Sequence, residues 1–181
     1  ISVVTGAERP LIRDRIAAVV HGQSGFDGVM LEAPAAVIAD EAQAALTRAV
    51  LEAKDPLTIL TLGPLTNLAK LFTSRPDLIG RLERVIIMGG AIAVAGNKSR
   101  VAEFNIFCDP EAADIVFNAP VAKTLVPLDP CNEVLLTNED ITALPSGRVG
   151  SLLKQVLEPY VKNIRIFEGS QGALMYDPIA A

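Results

Sequence analysis

Asn97, Glu103, Phe104 and Asn105 crowd one short stretch of this chain. The stretch opens on Met88-Gly89-Gly90-Ala91 and closes on Asp109-Pro110-Glu111-Ala112-Ala113. An amide carries donor and acceptor together, and a carboxylate accepts two hydroxyl donors. The set therefore suits holding a polyhydroxylated small molecule. Each residue also has a plainer role when taken singly. Asn after Gly is a common turn residue, as at Gly96-Asn97, and Met88 would serve equally in a core.

The elements around the stretch must position these groups. The apolar run Val85 to Met88 reads as a strand ended by Gly89-Gly90. Asp109 reads as an N-cap, with Pro110 at the first helical position and Glu111 complementing the dipole of a helix running to about Asn118. Further strands are expected at Ile1 to Val4, Leu57 to Leu62 and Val121 to Leu128, as continuous apolar runs. Helices are expected over Glu41 to Ala53 under an Asp40 cap, Thr66 to Phe72, and Gly150 to Phe167, where Pro159 should kink or break the helix. Thr137 and Asp140 have the spacing of a capping box. Asp177-Pro178 looks like another helix start. Strands and helices that alternate, with continuously apolar strands, indicate an α/β fold with a mainly parallel sheet and helices on both faces. In such folds ligands bind at the carboxyl ends of the strands, here after Leu62, Met88 and Leu128.

The chain has 181 residues, half of them hydrophobic, and a net charge of -5. One domain is the default at this length. Lys and Arg are scattered, which argues against a nucleic-acid polymer as partner. No apolar run reaches the roughly 18 residues of a membrane span. Cys108 and Cys131 do not make a disulfide framework, so a reduced, cytoplasmic setting is expected. The chain starts on Ile1 inside a strand-like run and stops soon after Asp177-Pro178. A piece of a longer protein is the expectation.

Thr61-Leu62-Gly63-Pro64-Leu65-Thr66-Asn67-Leu68-Ala69 resembles the central strand-turn-helix of the inosine-uridine-preferring nucleoside hydrolases. Val85 to Gly90, Gly96-Asn97, Ala102 to Asn105 and Asp109 to Ala113 follow in that family's order. His21-Gly22 with Gly25 to Gly28 resembles its upstream loop, Pro127-Leu128-Asp129 the strand before its lid region, and Asp177-Pro178 its C-terminal metal site. The match spans nearly the whole chain. It implies an incomplete Rossmann-like core, with residues 1–181 forming the central part of a single nucleoside hydrolase domain.

The resemblance implies hydrolysis of the N-glycosidic bond of ribonucleosides in the intact protein, by a water that Ca²⁺ activates. The reaction passes through an oxocarbenium-like ribosyl cation, and a cation can hold the water and order the sugar hydroxyls. By resemblance, Asn97, Glu103 and Asn105 hold ribose hydroxyls, while Phe104 and Met88 line the sugar pocket. Asp177 and the Leu62 carbonyl are Ca²⁺ ligands. His21 lies near the base, and Tyr176 stands beside the metal carboxylate. Asn67 is a site-wall or capping residue. Relatives are commonly homo-oligomers, so that state is expected too.

Three departures stand out, one of them Asp129-Pro130-Cys131, where Thr is commoner in relatives and the change reads as structural. The family's Asp-rich strand end, of the type Asp-x-Asp-x-Gly-x-Asp-Asp, is absent; Asp14, Asp27, Asp40 and Asp55 are isolated. Tyr176 replaces the His that many relatives use as general acid, and a tyrosine with its usual pKa of about 10 suits neutral pH less well. A Cys or Ser nucleophile lacks a companion base, since His21 is the only His. The alternative is a non-catalytic nucleoside- or ribose-binding module with a degenerate site. Two ligands do not satisfy an ion that takes about 6–8 oxygens. Weak Ca²⁺ binding and little or no hydrolysis are expected of this segment alone, and micromolar Ca²⁺ affinity by calorimetry would refute that.

Overall fold

The computed structural model describes residues 3–17, 38–168 and 171–181, with backbone alone for 38–40, 167 and 168. The expected roles of His21 and the Gly25 to Gly28 loop fall outside these residues. Contacts divide the described residues into two units, one of 3–15, 38–130 and 176–181, the other of 16–17, 131–168 and 171–175.

In the first unit, Val4–Thr5 (β1) pairs in parallel with Ile38–Glu41 (β2). The expected Asp40 cap is not formed. The extended backbone runs on through Glu41, so α1 (Ala42–Glu52) begins later, with no side-chain bond at its N-cap. β3 (Leu57–Thr61) leads into α2 (Thr66–Ser74), and a 3₁₀ segment at Pro76–Arg81 leads into β4 (Leu82–Met88). Two helices follow the long polar loop, α3 (Phe104–Cys108) and α4 (Pro110–Asn118). β5 (Lys123–Val126) is shorter than the apolar run around it, and Leu128–Cys131 turns into α5.

β3, β4 and β5 form a parallel sheet with β4 in the centre. Ile59 lies opposite Val85, and Ile87 opposite Leu125. Val85 and Ile87 are fully buried against Leu68, Leu71 and Phe72 of α2 and Ala112 and Val116 of α4. The parallel register brings the carboxyl ends of all three strands to one edge, as expected for a ligand-binding α/β sheet. β3 departs from its continuous apolar pattern. It alternates in exposure, and Leu60 and Leu62 are exposed.

In the second unit, β6 (Leu135–Leu136) pairs antiparallel with β7 (Ala173–Leu174). Asn138–Ala143 forms α6 and Arg148–Glu168 forms α7. The capping box is present: the Asp140 N–H donates to Thr137 Oγ1, and the Thr137 N–H donates to the Asp140 carboxylate. α7 runs through Pro159 without breaking. Packing explains this, because Val161 and Ile164 bury with Ile141 and Ala173, and Leu157 and Tyr160 pack against them. Tertiary burial of this kind outweighs the single backbone bond a proline removes. α8 (Asp177–Ala180) returns to the first unit and packs beside β4. Among the described residues, no helix is long and apolar enough to cross a membrane.

Candidate functional site

Glu103 is 2% exposed and sits at the N-cap of α3. Its Oε1 accepts from the Asn105 N–H at 2.7 Å. Its Oε2 accepts from the Ile106 N–H at 3.1 Å and, across the loop, from the Gly90 N–H at 3.1 Å. One carboxylate thus caps a helix and pins the Gly pair at the end of β4. The pinned backbone needs glycine: Gly90 has φ +87°, where an L side chain is strained. Its carbonyl accepts from the Leu128 N–H at 2.9 Å, so both polar groups of Gly90 are held. A carboxylate has about four lone-pair sites. The three N–H donors leave one lone-pair site of Oε1 without a donor among the described residues.

Asn105 follows on the same turn and is nearly buried. Its Nδ2 donates to the Met88 carbonyl at 3.2 Å and approaches the Met88 sulfur at 3.3 Å. No buried side-chain oxygen or nitrogen among the described residues lacks a partner. Asn105 Oδ1 accepts no hydrogen bond among the described residues. Met88 is itself buried, which makes it a packing residue at the base of the site. Asn97 Oδ1 accepts from the Phe104 N–H at 2.9 Å. Its amide nitrogen has no partner among the described residues. The Phe104 ring is half-buried, with Lys98 Nζ 5.9 Å from its centroid. The turn linking Asn97 to Glu103 closes on itself, with Lys98 N–H and Ser99 N–H both donating to the Ala102 carbonyl. A Cβ at Gly96 would overlap the Ala102 backbone, which is why glycine precedes Asn97. The structure thus brings Met88, Asn97, Glu103, Phe104 and Asn105 to the carboxyl end of β4.

Three residues make supporting contacts that the sequence reading does not contain. Asp129 accepts from the Ile92 N–H at 3.0 Å and the Ala93 N–H at 2.7 Å. These two donors, Ile92 first, hold its carboxyl below the usual carboxylate range. Both contacts are complete at neutral pH and are lost as pH falls through that lowered value. Asp109 caps α4 as expected, through the Ala112 N–H at 3.1 Å. It also accepts from Leu11 N–H at 2.9 Å and Thr66 Oγ1 at 2.6 Å, links no local pattern contains. Asn67 does not cap α2. Its Oδ1 accepts from the Ala7 N–H at 2.8 Å and its carbonyl from Gln43 Nε2 at 2.8 Å.

The remaining candidates lie on other elements of the first unit. Leu62 follows β3 directly, at the same sheet edge. Tyr176 is the N-cap of α8 and Asp177 its first residue, an exposed carboxylate. Among the described residues, no group of three or more His, Cys, Asp or Glu could hold a metal. Two oxygen donors do not fit a cation taking about 6–8, so these residues do not build a metal site by themselves. Cys108 and Cys131 are buried free thiols. Burial, and then the nearby Glu103 carboxylate, push the Cys108 thiol above its ordinary value, which disfavours the nucleophilic thiolate.

The family model for inosine-uridine preferring nucleoside hydrolase matches residues 1–181. The pyrimidine-specific ribonucleoside hydrolase RihA of Salmonella newport is 38% identical over 98% of this chain and 58% of its own. The protein of that name from Shewanella baltica is 43% identical over 98% of this chain and 57% of its own. Among solved structures, the plant nucleoside hydrolase PpNRh1 superposes with a TM-score of 0.91 at 31% identity, covering 99% of this chain and 58% of that one. A purine-preferring ribonucleoside hydrolase from Gardnerella vaginalis gives a TM-score of 0.88 at 25% identity, covering 99% and 60%. The chain therefore spans a little over half the length of these relatives.

Proposed function

The chain belongs to the inosine-uridine preferring nucleoside hydrolase family, and on that premise we propose that the intact protein hydrolyses the N-glycosidic bond of ribonucleosides to ribose and free base. The observation that carries this reading is the Glu103–Asn105 pair. Asn105 offers an amide oxygen, and Glu103 a lone-pair site of its carboxylate, that no donor among the described residues fills. The relatives' names divide between pyrimidine and purine bases, so the reading stops at ribonucleosides as a class.

In this reading two ribose hydroxyls donate to Asn105 Oδ1 and Glu103 Oε1, and Asn97 Nδ2 donates to a sugar oxygen. Fixed acceptors of this kind favour the positive charge that grows on the sugar as the bond to the base breaks. They also hold the anomeric carbon in place for attack. Phe104 forms a wall beside the sugar. The Tyr176 hydroxyl donates a hydrogen bond to the departing base, with His21 as second candidate. In the intact protein the ion would be calcium, with the Leu62 carbonyl and Asp177 as two of its oxygens; bound, it would supply an acidified water. The other donors are not among the described residues, and no step here depends on that ion.

Steady-state hydrolysis of purine and pyrimidine ribonucleosides by the full-length protein, with and without chelator, tests the reading. Turnover that chelator abolishes is expected. Asn105→Ala should lower kcat/KM by about 10- to 100-fold, the loss of one or two hydrogen bonds that strengthen in the transition state. An unchanged kcat/KM would remove the sugar grip from the proposal. Nucleoside binding without turnover would favour the non-catalytic binding module.

A further inference from the structure

The loop that leaves β4 toward Asn97 has an anchor that burial cannot supply. Ile92 is 73% exposed and Ala93 is also exposed. Their backbone N–H groups nevertheless point at a single acceptor, with one on each oxygen of Asp129. Asp129 belongs to α5, which follows the neighbouring strand β5. It therefore ties the loop after the central strand to the end of the next one. Upstream, the Gly89 N–H donates to the Val126 carbonyl and the Leu128 N–H to the Gly90 carbonyl, extending the sheet ladder two residues past β4. Downstream, the Gly96 N–H donates to the Arg100 carbonyl and begins the closed turn that presents Asn97. Between these fixed parts, the Ile92 and Ala93 contacts are the hydrogen bonds that hold residues 91–95 among those described.

We propose that Asp129 is a positioning residue: its two oxygens fix Ile92 and Ala93, and so set where the loop delivers Asn97 to the sugar. With the anchor in place, only residues 94 and 95 are left to move between held backbone. Without it, the span from Ala91 to Ala95 is held at its ends alone. Asn97 then samples positions from which its amide does not reach a ligand placed at Glu103 and Asn105. Asp129 does not touch the substrate in this scheme. It acts through the loop, and the proposal rests on the sugar-binding reading of Asn97 for its kinetic consequence.

The test uses the full-length protein and the variants Asp129→Ala and Asp129→Asn, with two readouts. The first is amide hydrogen exchange. In Asp129→Ala the Ile92 and Ala93 amides should exchange at least about tenfold faster, while Ile86 and Ile87 in β4 stay unchanged. The second is kinetic. KM for nucleoside should rise about tenfold with kcat within about threefold, and Asp129→Asn, which keeps one acceptor oxygen, should fall between. Unchanged exchange at Ile92 and Ala93 would overturn the anchor. Faster exchange with unchanged KM would overturn the positioning role and leave a purely structural tie. If the wild type shows no turnover, the proposed function fails by itself. The exchange readout and nucleoside titration then decide the anchor, with unaltered affinity in Asp129→Ala counting against it.

Discussion

Asp109→Ala is expected to lower the unfolding free energy of the full-length protein by about 3–5 kcal/mol, because one orphaned buried donor costs about 1–3 kcal/mol and this change orphans several. Asp109 is fully buried, and its carboxylate ends three different backbone paths. Oδ1 takes the Ala112 N–H in the first turn of α4. Oδ2 takes the Thr66 hydroxyl at the start of α2 and the Leu11 N–H of the segment after β1. Alanine removes all three acceptor contacts and supplies none. The helix N-terminus adds to the loss, since its dipole favours a negative charge at that position. Asp109→Asn keeps one acceptor, and the Thr66 hydroxyl can rotate to accept from the new amide, so a smaller loss of about 1–2 kcal/mol is expected. The nearby Arg13–Glu111 pair is exposed and adds little. Urea titration measures all three proteins. A loss below about 1 kcal/mol for the alanine variant would contradict the assigned role.

Asp109 also shows which parts of the structure the sequence displays. Asp-Pro-Glu before an apolar run is a local signal, and the helix N-cap it indicates is there. Leu11 lies 98 residues away and Thr66 lies 43 away, and no spacing rule encodes such contacts. The same division holds elsewhere. The Thr137–Asp140 box depends on four consecutive residues and was legible. The Asp40 cap failed because the backbone there is held in a strand whose partner, β1, lies far back in the chain. Local chemistry alone predicts a kink or break at Pro159, whereas packing of the second unit keeps α7 continuous. The sheet and its site edge were legible because apolar strands and Gly punctuation are local. Asp129 was not, because its role lies in two backbone groups of a loop 36 and 37 residues earlier.

Glu103 carries the largest expected effect on activity. Glu103→Ala should reduce kcat/KM for nucleosides by about 10³-fold, and Glu103→Gln by about 10²-fold, in a protein that remains folded. The resemblance assigns Glu103 to the sugar, but the structure gives it three backbone contacts first. Two of them begin α3, a helix of five residues that is too short to stand without a cap. The third holds Gly90, and through it the end of β4. Alanine releases both at once, so Asn105 loses its position as well as its neighbour, and a displacement of about 1 Å at a reacting centre can cost about 10²-fold in rate. Glutamine retains one acceptor oxygen but turns an NH₂ toward the N–H donors that the second oxygen served, so part of the clamp opens. Glu103→Asp separates the two duties. Its carboxylate is shorter by one methylene and cannot span from the start of α3 to Gly90 while still capping the helix. If Glu103 served only to hold ribose, aspartate would restore much of the activity. If it serves as clamp and acceptor together, aspartate should be as poor as glutamine. Amide exchange at Gly90 and Ile106 would rise in step with the loss of kcat/KM, and activity lost while both amides stay protected would show that the clamp is not what activity depends on.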